Sequence, residues 1–411
     1  MQEKAKEPEI RFAGFTGAWE QRKLGDIADI TGGGTPSTSN NDYWDGNINW
    51  YSPAEISNQI FMNSSQRKIT ELGFSSCSAK MLPKGTVLFT SRAGIGKTAI
   101  LSAEGCTNQG FQSIVPHAND LDSYFIFSRT NELKKYGEIV GAGSTFVEVS
   151  GKQMAAMTLM MPPKFNEQKT IGDFFKRLDS LLTLHQRKYE KLLNIKKSML
   201  EKMFPKEGEV VPEIRFKGFT GAWEQRVLGD FLEVSMETNS SAKFDKNDVL
   251  SISGDYGVVN QIAFQGRSFA SNSVVKYGVL HNEDIVYTKS PLKANPYGII
   301  KTNKGKAGIV SPLYAIYHPK NNLVPSFVQS YFEQNERLNN YLRPLVNKGA
   351  KNNMLISNEK AISGKVIFPS RKEQEKISAL LERVDSLLTL HQRKLEMLKN
   401  VKQAFLEKMF V

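Results

Sequence analysis

One nineteen-residue segment occurs twice in the chain, and this repeat constrains the fold more than any other feature. Residues 8–26 read PEIRFAGFTGAWEQRKLGD and residues 212–230 read PEIRFKGFTGAWEQRVLGD, so 17 of 19 positions agree. A second segment, DSLLTLHQRK, occurs at 179–188 and at 385–394, and both copies close on LEKMF. The offsets are 204 and 206 residues, so the sequence indicates two tandem copies of one unit.

The stretches between the matched segments differ in sequence but keep a common layout. KGTVLFTSRAGIGKTAI parallels NEDIVYTKSPLKANPYGII, and TFVEVSGKQMAAMTLMMPP parallels KNNMLISNEKAISGKVIFP. Both stretches alternate short β-rich runs with turns of Gly, Pro, Asn and Ser, and both include a few helical segments. Each stretch is therefore predicted to form a mixed α/β domain, at residues 1–164 and 212–370.

Each copy ends in a long heptad pattern, which predicts one helix over 165–204 and another over 371–411, with a linker turn at 205–211. Eight of the ten a and d positions are apolar in each copy, as a coiled-coil seam requires. Representative predicted seam residues are Leu178, Leu182, His185 and Leu192 in the first helix, and Val384, Leu388, His391 and Leu398 in the second.

The direction of the helices predicts an arrangement for the whole chain. Each helix would be a rod of roughly 60 Å with an apolar stripe to bury, which favours pairing of the two helices. Antiparallel pairing would place the domains at opposite ends of a pseudo-two-fold dumbbell. The predicted fold class is thus α+β, with two mixed α/β domains separated by an antiparallel two-helix coiled coil. In the alternative, each helix packs on its own domain.

Charge and composition limit which partners and which cellular compartment are expected for the protein. The formal net charge of +12 favours a polyanionic partner, of which nucleic acid is the commonest, although a merely basic protein is the alternative. Cys77 and Cys106 are the only cysteines and lie in no zinc-binding pattern, so no metal site is expected. No run approaches 18 apolar residues and the first residues lack an apolar signal core, so a cytoplasmic protein is expected.

The letters GIGKT at 94–98 resemble the end of an ATP-binding phosphate loop, but their spacing and context exclude that role. Such a loop needs a Gly five positions before the Gly96-Lys97 pair, and Ser91 stands there. The residues after Thr98 read as a strand, whereas a phosphate loop opens a helix. The segment is therefore predicted to be a cationic loop between two strands, suited to a different kind of phosphate.

This organisation resembles the specificity subunit of type I restriction–modification systems. The resemblance covers essentially the whole chain. It is carried by WEQRKLGD and WEQRVLGD, TGGGTP with DYWDGNINW, SRAGIGKTAI, and the EQ-led helices with DSLLTLHQRK. It implies that each variable domain is a target recognition domain that reads one half of an asymmetric bipartite sequence in double-stranded DNA. It also implies that the helices set the spacing between the two half-sites and dock two methyltransferase (modification) subunits.

The resemblance further implies that this chain binds no cofactor. S-adenosylmethionine would belong to the modification subunits, and ATP and Mg to two restriction subunits, which translocate and cleave DNA. The chain would be the non-catalytic recognition subunit of a DNA methyltransferase and type I site-specific deoxyribonuclease complex. From the residues alone, a coiled-coil adaptor with two variable protein-binding domains remains an alternative.

Three cationic or amide-rich segments are the candidate DNA contacts, with solvated surface charge as the alternative for each residue. An Arg can fork onto guanine, an Asn can pair with adenine, and Lys or Thr can hold backbone phosphate. The predicted DNA-binding residues are Ser91, Arg92, Lys97, Thr98, Lys289, Ser290, Lys293, Asn295, Tyr297, Lys351, Asn352 and Asn353. A further patch runs from Thr35 to Asn41 with Trp50 and Tyr51, although these two aromatic residues are better explained as core.

No catalytic residues are predicted. Asn295-Pro296-Tyr297 resembles a motif that holds a target adenine in methyltransferases, but it lacks the second Pro of that motif. No Gly-rich strand-turn-helix suited to an adenosyl cofactor accompanies it. His185 and His391 recur at seam positions, which favours packing, and the shared contexts of Trp19 and Trp223 favour packing or a common docking surface.

Overall fold

The computed structural model describes residues 7–57, 59–92, 94–142, 148–271, 273–348 and 354–411. The chain divides into two compact units. The first unit contains residues 1–186 and 393–411, and the second contains residues 187–392. Because the boundaries at 186 and 392 fall inside the two long helices, each long helix contributes one part to each unit.

Both units contain many short strands. Within the described residues, the strands of the first unit are β1 (Glu20–Lys23), β2 (Ala28–Gly32), β3 (Trp44–Tyr51), β4 (Phe61–Met62), β5 (Arg67–Ile69), β6 (Val87–Phe89), β7 (Thr98–Leu101), β8 (Cys106–Thr107), β9 (Gln112–Pro116) and β10 (Thr158–Met161). Those of the second unit are β11 (Glu224–Val227), β12 (Leu232–Val234), β13 (Leu250–Ser253), β14 (Gly257–Asn260), β15 (Gly278–Leu280), β16 (Ile285–Thr288), β17 (Ile300–Thr302), β18 (Gly308–Val310), β19 (Tyr314–Pro319), β20 (Asn347–Lys348), β21 (Met354–Leu355) and β22 (Lys365–Phe368).

The helices fall into a short class and a long class. The short helices are α1 (Glu71–Ser75), α2 (Ser123–Ser128), α3 (Thr130–Gly141), α4 (Gly151–Ala155), α6 (Gln261–Gln265), α7 (Pro325–Tyr331), α8 (Asn335–Leu342) and α9 (Asn358–Ala361). The long helices are α5 (Phe165–Lys202) and α10 (Arg371–Lys408), each of 38 residues. Single turns of 3-10 helix lie at Leu24–Asp26, Asn41–Tyr43, Pro53–Glu55, Leu228–Asp230 and Lys246–Asp248. No helix in the described part of the chain is long and apolar enough to cross a membrane.

The main sheets of the two units share one strand order. In the first unit the order is β2-β9-β6-β7, with β4 added at the edge, and in the second unit it is β12-β19-β16-β17. The shared neighbours pair antiparallel in both sheets, while β4 pairs parallel with β7. Two stretches with little sequence identity therefore form the same four-stranded arrangement, because the position of each β-rich run along the chain is kept.

The repeated WEQR segments form matching two-stranded sheets. In the first unit β1 pairs antiparallel with β10, and Glu20 lies opposite Met161. In the second unit β11 pairs with β22, and Glu224 lies opposite Phe368. Each repeated strand is thus paired with the strand that directly precedes a long helix, which ties the start of a unit to the base of that helix.

An ion pair secures the same connection. The Arg11 guanidinium donates to both carboxylate oxygens of Glu167 at 2.7 and 2.8 Å, and Arg215 donates to Glu373 at 2.7 Å twice. Both glutamates are 1% exposed, and each lies in the first turn of a long helix. A carboxylate there also interacts favourably with the helix dipole. The pairing with Glu167 holds the pKa of Arg11 above its ordinary value, and Glu373 does the same for the pKa of Arg215.

The repeated PEIRF segments also contact the far ends of the long helices. The Ile10 amide donates to the carbonyl of Lys408 at 2.9 Å in the first unit, and the Ile214 amide donates to that of Lys202 at 2.8 Å in the second. Carbonyls in the last turn of a helix have no partner within the helix, so these bonds satisfy groups that would otherwise need water. The near-identity of the two segments reflects the same structural task in both units.

Parts of the two long helices pack together antiparallel in each unit. In the first unit, the ring of Phe174 in α5 lies 4.9 Å from that of Phe405 in α10, and Phe175 stacks on Phe410. In the second unit, Lys196 of α5 lies 2.6 Å from Asp385 of α10. In the first unit, the pairs Phe174–Phe405 and Asp179–Lys402 show that residue numbers rise along α5 as they fall along α10, as opposite chain directions require.

The seam that the heptads predicted is partly or fully buried along its length. None of the twenty a and d positions of α5 and α10 is exposed. The side chains on the other faces include exposed leucines such as Leu181 and Leu387, at 43% and 38% exposure. The predicted fold class, mixed α/β with two long helices, is confirmed.

Candidate nucleic-acid interface

The GIGKT segment forms the loop between β6 and β7 of the first unit. The loop closes on Thr90, whose hydroxyl donates to the Gly94 carbonyl at 2.8 Å and accepts from the Lys97 amide at 3.0 Å. Gly94 and Gly96 adopt φ values of 99° and 94°, which L side chains rarely adopt. Thr98 begins a strand and no helix follows, so the structure agrees with the rejection of a phosphate loop.

The loop packs closely on α3. A Cβ at Gly96 would lie 2.3 Å from Cγ of Lys134, so only glycine allows this approach. Ile95 is 7% exposed, and its side chain lies against Gly137. Lys134 therefore adds a cation beside the loop, which the sequence reasoning missed. The available signal was the Lys134-Lys135 pair in the amphipathic segment of α3.

The four predicted residues of this first loop have different environments. Arg92 is exposed and its Nε lies 2.8 Å from Glu148, while Lys97 is exposed and makes no ion pair among the described residues. Thr98 is half-buried, and its hydroxyl lies 2.6 Å from that of Thr130. Ser91 is fully buried, and its backbone bonds Gly110 and Val149. A buried side chain offers no surface to a duplex, so the position of Ser91 fits a structural role in the loop.

The second unit has its own loop at the corresponding junction, between β16 and β17. Lys293 is exposed at its tip, and Lys289 and Ser290 are half-buried at its start. Lys289 donates to the side-chain oxygen of Asn358 at 2.7 Å. Burial lowers the pKa of Lys289, with a smaller opposing effect from Glu359. The two loops occupy the same place in the same strand order, and both are cationic.

The amide predicted to read adenine points into the protein. Asn295 is 8% exposed, and its Nδ2 donates to the Asn335 side-chain oxygen at 3.0 Å. The loop is also tied to α8 by Asn339, which donates to the Ala294 carbonyl at 3.0 Å. Tyr297 is half-buried, and its carbonyl accepts from the Tyr287 hydroxyl at 2.7 Å. Asn295 therefore anchors the loop on α8, just as Gly96 seats the first loop on α3.

The remaining candidate residues are either buried in the structure or lie outside the described residues. Lys351, Asn352 and Asn353 lie outside the described residues, so their predicted role stays a prediction. Trp50 and Tyr51 are buried, as expected of core residues, and Trp19 and Trp223 are 2% and 3% exposed, which accords with packing. The eight representative seam residues are partly or fully buried, and His185 and His391 each have an interaction partner.

These features define a structural class: a chain of two tandem α/β units with long helices, each unit presenting a cationic loop at one strand junction. Residues 17–194 match the family described as the type I restriction modification DNA specificity domain. The chain belongs to the family of type I restriction–modification specificity subunits.

Named relatives agree with this membership. The chain is 30% identical to the type I restriction enzyme MjaIX specificity subunit of Methanocaldococcus jannaschii. The alignment spans 286 residues and covers 66% of this chain and 66% of that protein. It is 26% identical to the type I restriction enzyme EcoR124I/EcoR124II specificity subunit of Escherichia coli. That alignment spans 193 residues and covers 42% of this chain and 47% of that protein. The matched regions thus span just under two thirds of the first relative and about half of the second.

A solved structure shares the fold over nearly the full length. The specificity subunit from M. genitalium superposes with a TM-score of 0.60 at 13% identity and covers 98% of this chain and 99% of that one. At so low an identity the likeness concerns the fold, and it extends across both copies of the repeat.

Proposed function

We propose that this chain is the sequence-recognition subunit of a type I restriction–modification complex. Each unit would read one half of an asymmetric bipartite target in double-stranded DNA. The observation that carries the proposal is that the β6–β7 and β16–β17 loops occupy the same place in the same strand order but present different side chains. Equivalent placement with different chemistry is what two readers of different base sequences require.

Electrostatics support DNA as the partner. The net charge of +12 attracts a polyanion, and Lys97, Lys134 and Lys293 place cations on or beside the two loops. Lysines in such positions neutralise phosphates and release counterions, which makes binding strongly dependent on salt. Arg92 is held by Glu148 and would exchange this carboxylate for a base edge on binding.

The partners and cofactors in this proposal follow from the family resemblance. Two modification subunits would dock on the long helices and bind S-adenosylmethionine, and two restriction subunits would use ATP and Mg. The chain itself would hold no cofactor and perform no chemistry. The long helices would fix the distance between the two readers and hence the length of the unread spacer in the target.

A binding measurement tests the proposal. The chain, assembled with its modification subunits, is titrated with duplexes carrying the motif found methylated in cells that express the complex, and with scrambled duplexes, over a series of salt concentrations. We expect tight binding to the target and a slope of log affinity against log salt that corresponds to several phosphates. Equal, salt-independent and weak binding to all duplexes would contradict the proposal and would favour the adaptor alternative.

A further inference from the structure

An arginine, Arg337, lines a cavity of about 640 Å³ in the second unit. The cavity lies beside the turn after α5 and against α8. Arg337 lies over the rings of Phe204 and Tyr331, at 5.1 and 4.9 Å from their centroids. Its guanidinium donates to the carbonyls of Tyr331 and Pro205, at 3.1 and 3.3 Å. No carboxylate in the described part of the chain pairs with it.

In the first unit, a similarly placed arginine, Arg129, does have a carboxylate partner. Arg129 lies over Phe410, at 5.5 Å from the ring centroid, and Phe410 ends the LEKMF repeat as Phe204 does. Arg129 is 3% exposed, and it donates to both carboxylate oxygens of Glu132, at 2.7 and 3.0 Å. Each unit thus holds an arginine against the last ring of its repeat, and among the described residues Arg129 has a carboxylate partner whereas Arg337 has none.

The acidic side chains around the cavity are engaged elsewhere or face away. Glu207 accepts from the side-chain amide of Asn340 at 3.1 Å, and Glu201 lies 3.9 Å from Lys197. Glu336 directly precedes Arg337 in α8, and adjacent residues of a helix do not face each other. Burial lowers the pKa of Arg337, opposed only by Tyr331. A desolvated guanidinium without an anion is costly, so an external anion at this place would be bound favourably.

We propose that the cavity at Arg337 binds a carboxylate, which forms with Arg337 the two-pronged ion pair that Glu132 forms with Arg129. A planar carboxylate matches the guanidinium fork, and such charge-assisted pairs are the strong ones. The rim adds two further cations, Lys206 and Lys365. The carboxylate comes either from a small free acid or from an acidic side chain of a protein partner, and the inference does not depend on DNA recognition.

The pairing in the first unit suggests a matched substitution in the second unit. Glu132 lies three residues after Arg129, and Asn340 lies three residues after Arg337. Asn340→Glu therefore supplies an internal carboxylate at a spacing where helical side chains are neighbours. Asn340→Gln retains an uncharged amide and is the control, and Arg337→Gln removes the cation.

The test measures the melting temperature of the full chain in sodium acetate against sodium chloride at equal ionic strength. We expect acetate to raise the melting temperature of the parent and of Asn340→Gln by a few degrees, since a ligand that binds only the folded state stabilises it. Neither Asn340→Glu nor Arg337→Gln should respond. If Arg337→Gln does not fold, Asn340→Glu, which keeps the arginine, decides the question. An acetate effect that is absent from the parent, or equal in the parent and Asn340→Glu, would overturn the proposal.

A second arm distinguishes the two sources of the carboxylate. A blocked alanine peptide with one central glutamate replaces acetate, and the same peptide with glutamine is its control. A stabilisation of the parent by the glutamate peptide that Asn340→Glu lacks assigns the cavity to an acidic side chain of a protein. A response to acetate without a response to the peptide assigns it to a small free carboxylate.

Discussion

Lys402 Nζ lies 2.6 Å from Asp179 Oδ1, which joins α10 to α5 within the first unit. The second unit contains the counterpart, in which Lys196 Nζ lies 2.6 Å from Asp385 Oδ1. Both lysines occupy d positions of the heptads, and both aspartates open the DSLLTLHQRK repeat. Because each lysine finds a carboxylate on the other helix, a charge at the seam becomes part of the pairing and helps to fix its register.

Removal of the Lys402 ammonium should destabilise the first unit. Asp179 is largely buried and would keep the hydrogen bond from the Tyr124 hydroxyl, at 2.9 Å, but no cation. We expect Lys402→Ala to lower the free energy of unfolding by about 3 kcal/mol, the cost of leaving a buried charge unpaired. Denaturant unfolding of the purified chain measures this. The control is Lys197→Ala, an exposed lysine 3.9 Å from Glu201, which should change stability by less than about 0.5 kcal/mol. Equal effects of the two substitutions would contradict the assigned role.

Neighbouring leucines in α10 allow a direct test of the seam. Leu388 is 8% exposed and Leu387 is 38% exposed, although both lie in the same repeated segment. Leu388→Asp should cost several kcal/mol, because it buries a charge and removes apolar contact. It should also prevent assembly with modification subunits, as judged by size-exclusion chromatography. Leu387→Asp should leave the melting temperature nearly unchanged, and similar losses in both variants would count against the seam.

The helices could be predicted from the sequence because a heptad pattern that persists over five repeats identifies the face of the helix that is buried. The eight apolar seam positions of each copy therefore identify the buried stripe. Lys196 and Lys402 looked like exceptions within that pattern, since a one-dimensional pattern does not show which carboxylate will lie opposite. The antiparallel contact of Phe174 with Phe405 depends on packing between segments more than 200 residues apart, which periodicity does not encode.

The two cations of the first loop should have different roles in binding. Arg92→Ala, if Arg92 reads a base, should cost roughly 1–3 kcal/mol and relax one position of the target. Lys97→Ala, if Lys97 holds phosphate, should weaken binding to all sequences alike and reduce the salt slope by about one. Titrations of the assembled complex measure both effects, with exposed Lys164 replaced by Ala as the control. If both loop variants bound DNA with the affinity and salt slope of the parent chain, the loop would not be part of the DNA interface.

The loop itself could be predicted, but the direction of its side chains could not. Glycines and cations between two apolar runs indicated a loop at the GIGKT segment. The burial of Ser91 follows from backbone bonds to Gly110 and Val149, which lie elsewhere in the sequence. Asn295 is likewise held by Asn335, forty residues away. Lys134 was missed because its proximity to Gly96 arises only when α3 packs against the sheet.

The two cysteines should differ in reactivity. Cys106 is fully buried, and burial raises the pKa of its thiol to about 12. Since the thiolate is the reactive form, this thiol should stay protonated and inert at pH 8. Cys77 is only partly buried. We expect Ellman's reagent to label one thiol per native chain and two after unfolding. Cys77→Ser should abolish the native reaction, and rapid labelling of native Cys77→Ser would contradict the burial of Cys106.

Mapping of methylated adenines across a genome tests the central claim most directly. Cells that express the modification subunits with the parent chain are compared with cells that express the same subunits with a chain in which residues 27–160 are replaced by another variable segment. We predict one asymmetric bipartite methylated motif for the parent, and a motif with one half changed and the other half and spacer retained for the exchanged chain. Methylation that does not depend on the chain, or a simultaneous change of both halves, would contradict recognition of the target by two separate units.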